Sequence, residues 1–199
     1  VAKIVGLRRN LLAGLAALAL LAPAAAVAAA PKDPSGVWLT EDGRARIQLE
    51  LCGAGHDRLC GYIVWLKTPT TSDGKPRTDT KNPDAAKQAR LTLGHQLLLG
   101  LKPNDEGHYE GEIYNSDDGK KYDVNVWLDA PGRLKVKGCL VAFLCSTQDW
   151  TKTADVLPGQ LVGAAGSPGG PRPDPEWAST APGGAPGAPA GNRTTKPRS

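Results

Sequence analysis

The chain has 199 residues, is 40% hydrophobic, and carries a formal net charge of +4 with a sequence pI near 8.9. The basicity belongs to the two ends. Residues 1–30 contribute Lys3, Arg8 and Arg9 with no acid, residues 31–155 hold 17 Lys and Arg against 18 Asp and Glu, and the remainder holds 4 against 2. A near-neutral central stretch lacks the basic stripe that phosphate backbones require, so no nucleic-acid partner is expected.

In chain order, Lys3, Arg8 and Arg9 precede an apolar run from Leu11 to Leu21 and then Ala-rich sequence, the three parts of a secretory signal. The A-x-A spacing at Ala26-Val27-Ala28 sets the expected cleavage after Ala28, which makes residues 1–28 a signal peptide. Leu11 to Ala30 is about long enough to span a bilayer, but its Ala and Pro content makes it a weak span. No stable membrane insertion is expected after cleavage, and the mature chain is expected to be periplasmic or secreted. The Arg8-Arg9 pair leaves the export route open.

From Gly36 onward, apolar residues recur at period two between turn residues, the mark of strands. Strands are expected at Gly36 to Thr40, Arg44 to Leu51, Leu59 to Leu66, Gly94 to Leu101, His108 to Tyr114, Lys121 to Leu128, Arg133 to Leu140 and Cys145 to Thr151. In Arg44 to Leu51, Ala45, Ile47, Leu49 and Leu51 face a core while Arg46, Gln48 and Glu50 face solvent. The near-continuous runs Tyr62 to Leu66 and Leu97 to Leu101 predict strands covered on both sides.

The connection from Lys67 to Leu93 is too long for a hairpin. Asn82-Pro83 within it predicts a helix N-cap with proline at the first helical position, and a short helix to about Arg90. That helix is one candidate cover for the apolar strands. After Asp155 the sequence turns to Pro, Gly, Ala and Ser with few apolar anchors, so residues 156–199 are expected to be a disordered tail. Trp177 stands alone in it.

Strands joined mostly by tight turns must close or shield their edges. The pattern therefore predicts an all-β fold, an eight-stranded up-and-down barrel over residues 33–153, with room for one small ligand. A β-sandwich is the main rival. The four cysteines predict two disulfides in an oxidising compartment. Cys52 with Cys60 and Cys139 with Cys145 is the favoured pairing, because each closes a short loop between neighbouring strands; the crossed pairings remain open. Cys52, His56 and Cys60 also have a C-x3-H-x3-C spacing, but a disulfide beside an exposed histidine is the better reading, and no metal is expected.

Gly36-Val37-Trp38 at the start of the first strand resembles the G-x-W signature of lipocalins, where the Trp plugs the closed end of the barrel. Trp150-Thr151-Lys152 in the last strand adds to it, since the resemblance implies that Lys152 stacks on Trp38. A closer resemblance covers nearly the whole domain. It runs through Leu59 to Val64, Asp79 to Pro83, Gly111 to Asn115, Gly119 to Tyr122, Leu134 to Cys139 and Thr147 to Trp150. By these stretches the chain resembles the secreted bacterial family called domain of unknown function 2147. The resemblance implies a lipocalin-like barrel outside the cytoplasm, with no assigned activity.

Asp79, Asn82 and Arg90 are the candidate polar site, since they share the one long connection at a barrel mouth. The favoured reading of the same residues is an Asx-turn and a cap that hold the loop, with Arg90 paired to Asp79. Tyr62, Tyr114 and Trp127, on strands, are candidates to line a pocket. Glu110, Glu112 and Asp123 alternate with apolar residues as solvent-facing positions do. No Gly-x-Ser-x-Gly, paired helical histidines or Gly-rich phosphate loop occurs, so no catalytic residue and no cofactor is assigned. The leading expectation is a lipocalin-like protein that binds a small, partly apolar molecule. The alternatives are a cell-envelope interaction module using the tail and, less favoured, an enzyme with a site on the Asp79 to Arg90 loop.

Overall fold

The computed structural model describes residues 30–140 and 144–175. The expected signal peptide, residues 141–143 and the remainder of the expected tail, 176–199 with Trp177, lie outside the described residues. Eight antiparallel strands form one closed barrel in sequence order: β1 (Gly36–Leu39), β2 (Ala45–Cys52), β3 (Arg58–Leu66), β4 (Gln96–Pro103), β5 (Tyr109–Asn115), β6 (Lys120–Ala130), β7 (Arg133–Cys139) and β8 (Cys145–Thr153). β1 closes the circuit on β8, with Trp38 opposite Lys152. Closure leaves no open sheet edge, so the up-and-down barrel stands and the sandwich does not.

Alternation along each strand sends one set of side chains inward. Trp38, Leu49, Leu59, Leu98, Leu101, Val126 and Leu134 have no solvent exposure and fill one end of the barrel. Burying a side chain of this size stabilises the fold by about 1.5–3 kcal/mol. That filled end carries the β2–β3, β4–β5 and β6–β7 turns. The opposite end carries the β1–β2, β5–β6 and β7–β8 turns and the long β3–β4 connection. The disulfides form as favoured, Cys52–Cys60 across β2 and β3 and Cys139–Cys145 across β7 and β8. Neighbouring antiparallel strands bring each pair within bonding reach, at Cα–Cα separations of 5.8 Å and 4.0 Å.

Four expectations need correction. The helix near 83–90 is a single 3-10 turn, Ala85–Lys87, capped by the Asp84 carboxylate and not by Asn82. Asn82 is engaged elsewhere: its side-chain oxygen accepts from the Asp84 backbone, and its amide is turned toward Asp79.

The expected disorder from residue 156 fails over 156–175, which runs as an ordered strap along the outer face of β2, β3 and β4. The strap is poor in apolar anchors but rich in accessible backbone, and side chains of the barrel bind that backbone. Arg46 holds the Asp155 carbonyl and carboxylate and the Gln160 side chain, Gln48 donates to the Gly163 carbonyl, and Glu50 accepts from the Ala165 N–H. Backbone bonds from Leu161 to Val64 and from Arg172 to Gly94 complete the docking.

The face of β2 expected to be wet is therefore covered, and Arg46 is buried. The second cover over the apolar strand β3 is likewise this strap, with Ala165 against Tyr62 and the Cys52–Cys60 bridge, and not the turn after Asn82.

Candidate functional site

The open end of the barrel holds a cavity of about 750 Å³. Its inner wall includes Ile47, Ile63, Leu97 and Ile113, each from a different strand, and its base includes Trp150. The Trp150 indole N–H donates to the Gln148 side chain at 2.9 Å, so the ring presents its apolar body without an unsatisfied donor. All four connections at this end contribute to the rim, through residues such as Arg44, Lys67, Arg77, Asp117 and Leu144. The result is an apolar chamber with a polar mouth, within the size range of small-molecule sites.

The long β3–β4 connection folds back on itself, with Thr78 bridged to Leu91 and the Asp79 N–H bonded to the Arg90 carbonyl. This places Asp79 at zero exposure. Its carboxylate accepts from the Tyr114 hydroxyl at 2.6 Å, the Asn82 amide at 2.7 Å and Arg90 Nε at 2.9 Å. Burial alone would raise the Asp79 carboxyl, but these three donors outweigh it and hold the pKa below the usual carboxylate range. Burial and the Asp79 charge push the Tyr114 hydroxyl up to about 12. Arg90 also lies 5.4 Å from the Tyr114 ring centroid and bonds Asp174 of the strap at 3.0 Å. Gly119 in the β5–β6 turn has φ +74°, and a Cβ there would lie 1.9 Å from the Lys81 carbonyl, so only glycine lets this turn close on the connection.

His95 sits beside this cluster, edge-on to Tyr114 at 5.9 Å between ring centroids. It is buried, and neither ring nitrogen has a partner among the described residues. Burial, assisted by the Arg90 charge, lowers its pKa to about 4, so the ring is neutral near pH 7.

Of the sequence-derived candidates, Asp79, Asn82, Arg90 and Tyr114 come together, but as a closed hydrogen-bonded clamp beside the cavity. Tyr114 alone among the six also borders the cavity. Tyr62 is buried on the outer face of β3 beneath the strap, where burial raises its hydroxyl pKa strongly. Trp127 also lies away from the cavity, half-buried and stacked on His108 at 4.5 Å. Trp38 is fully buried, with its indole N–H on the Pro34 carbonyl, and Lys152 Nζ lies 5.5 Å from its ring centroid. Glu110, Glu112 and Asp123 are exposed. Among the described residues no group of three or more His, Cys, Asp or Glu is placed to hold a metal, and no helix is long and apolar enough to cross a membrane.

Sequence reasoning did not single out Lys67, Arg77 or His95. The first two stand on a connection whose path the sequence does not fix. His95 follows Gly94 at a strand start, where one residue of register decides its surroundings.

No curated protein matches the chain. Among solved structures, a protein described as HP1028 from the human pathogen Helicobacter pylori, belonging to the lipocalin family, is similar at a TM-score of 0.50 and 21% identity. The match covers 62% of this chain and 84% of that one. At that identity the likeness shows a shared lipocalin-like fold. Residues 36–152 match the family model for uncharacterized proteins conserved in bacteria, DUF2147, a span that begins at the Gly36-Val37-Trp38 strand and ends at Lys152. The chain belongs to the DUF2147 family.

Proposed function

We propose that this is an exported, periplasmic or secreted binding protein that holds a small, partly apolar ligand in the open-end cavity. The observation that carries the reading is the uneven filling of the barrel. One end is closed by Trp38 and its neighbours, while the other leaves about 750 Å³ lined by Ile47, Ile63, Leu97, Ile113 and Trp150. Unfilled apolar space sacrifices packing contacts, a cost that a bound ligand offsets by supplying them. Export is supported by the amino-terminal pattern and by four cysteines all engaged in disulfides. Binding is favoured over catalysis at Asp79 because three donors already occupy that carboxylate.

Titration of the full chain with the neutral dye N-phenyl-1-naphthylamine tests the reading. Saturable enhancement of emission at one dye per chain is expected, and Ala45→Trp, which adds bulk where Ala45 borders the cavity, should abolish it without unfolding the barrel. A linear, unsaturable response in both proteins would overturn the proposal. Cell fractionation tests the export half: the mature chain should appear outside the cytoplasm and begin at Ala29.

A further inference from the structure

The mouth of the cavity has two chemically different sides. Lys67 and Arg77 line it from the β3–β4 connection. Arg77 donates its Nε to the Thr68 carbonyl at 2.9 Å, which orients the guanidinium and leaves its terminal nitrogens without a partner among the described residues. Neither cation has a carboxylate within ion-pair distance among those residues, whereas Arg44, the third cation at the rim, lies 4.0 Å from Asp42. Asp42 is itself held by Thr40 at 2.7 Å, and Asp117 is the other acid at the mouth, on the β5–β6 turn.

Half the circuit away, the β7–β8 hairpin supplies Leu140 and Leu144, which are 61% and 56% exposed and border the same cavity. The Cys139–Cys145 disulfide and the backbone bond from Leu140 to Leu144 fix this apolar lip in place.

We infer that the ligand is an anionic amphiphile, with a carboxylate or phosphate head on Lys67 and Arg77 and a hydrocarbon chain against the Leu140–Leu144 lip and the Trp150 base. The inference rests on the cavity reading above and adds the charge of the ligand. An anion gives both cations a charge-assisted partner at the edge of a low-dielectric chamber, where such bonds are stronger than in open water. A neutral head leaves the cations to solvent, and a cationic head is repelled. The guanidinium also favours planar, two-pronged oxygen groups, which carboxylate and phosphate share.

Calorimetric titration of the full chain with decanoate, decyl phosphate, decanol and decyltrimethylammonium tests this, because the four compounds share a tail and differ in the head. Decanoate or decyl phosphate should bind at least tenfold more tightly than decyltrimethylammonium. Preference for decanoate points to a free fatty acid, and preference for decyl phosphate to a phospholipid-derived ligand. The double variant Lys67→Gln, Arg77→Gln should weaken anion binding about tenfold and leave decanol unchanged. Affinities independent of the head group, or unaffected by the double variant, overturn the inference. No decyl binding alongside saturable dye binding overturns it too, while the cavity reading stands. Loss of dye and decyl binding together removes both.

Discussion

Lys152 reaches across from β8 to place its Nζ 5.5 Å from the centroid of Trp38 on β1, and anchors it with a bond to the Ser35 carbonyl at 3.1 Å. The strand pairing that closes the barrel thus also caps its largest buried side chain. Gly36, at φ +131°, makes room: a Cβ there would lie 2.9 Å from Lys152 Cε. Replacing Lys152 by Met should cost about 0.5–1 kcal/mol through loss of the cation over the ring. Trp38→Ala should cost about 3–5 kcal/mol. Urea unfolding of the two variants and the parent checks both, and equal midpoints would refute the role of Trp38.

His95 makes stability depend on pH in a defined window. Its folded pKa of about 4 lies below the ordinary histidine value of 6.5, so the unfolded chain binds the proton more tightly. The stabilisation from keeping it neutral is complete above about pH 6.5 and is lost as pH falls toward 4, at up to about 1.4 kcal/mol per pH unit and about 3 kcal/mol in all. The depressed Asp79 carboxyl acts later, below the ordinary aspartate value of 3.8. Unfolding free energies measured between about pH 7 and pH 4 should show the slope, and His95→Phe should flatten it. A flat parent curve would contradict the assignment.

The strap should be a structural part of the molecule. Truncation after Ala154 removes the partners of Arg46, Gln48 and Glu50 and uncovers Tyr62. A loss of at least about 2 kcal/mol is expected from the exposed ring alone. Hydrogen exchange should accelerate at the Leu161 and Arg172 amides in Arg46→Met, where the first anchor is removed. Identical urea midpoints for the full and truncated chains would show that the strap contributes nothing.

Each disulfide closes a short loop, with sequence separations of 8 and 6 residues. By the entropy removed from the unfolded chain, each should contribute about 2–3 kcal/mol. Reduction under native buffer conditions should lower the melting temperature markedly. An unchanged melting temperature would refute that contribution.

The barrel was legible because one-sided burial leaves a period of two. Ile47 and Leu49 between Arg46, Gln48 and Glu50 declare a strand and its inward face. The same pattern hid the strap, since polar residues that bind a neighbouring backbone look no different in sequence from polar residues in water. The strap's own Gly, Pro and Ala read as disorder because its docking uses peptide groups, which composition does not register. Asp79 with Asn82 and Arg90 could be seen as a local clamp, but Tyr114 lies 35 residues on and enters only through the fold. How much of the interior stays open was beyond reach for a different reason. Alternation fixes which side chains point inward, and not how completely they fill the space.

Native mass spectrometry of the full chain, isolated without detergent from its own cells, tests the central claim most directly. The cavity account predicts an adduct of one discrete mass on the folded chain, released on unfolding and missing from Ala45→Trp. The bare chain mass alone, in parent and variant alike, would contradict it.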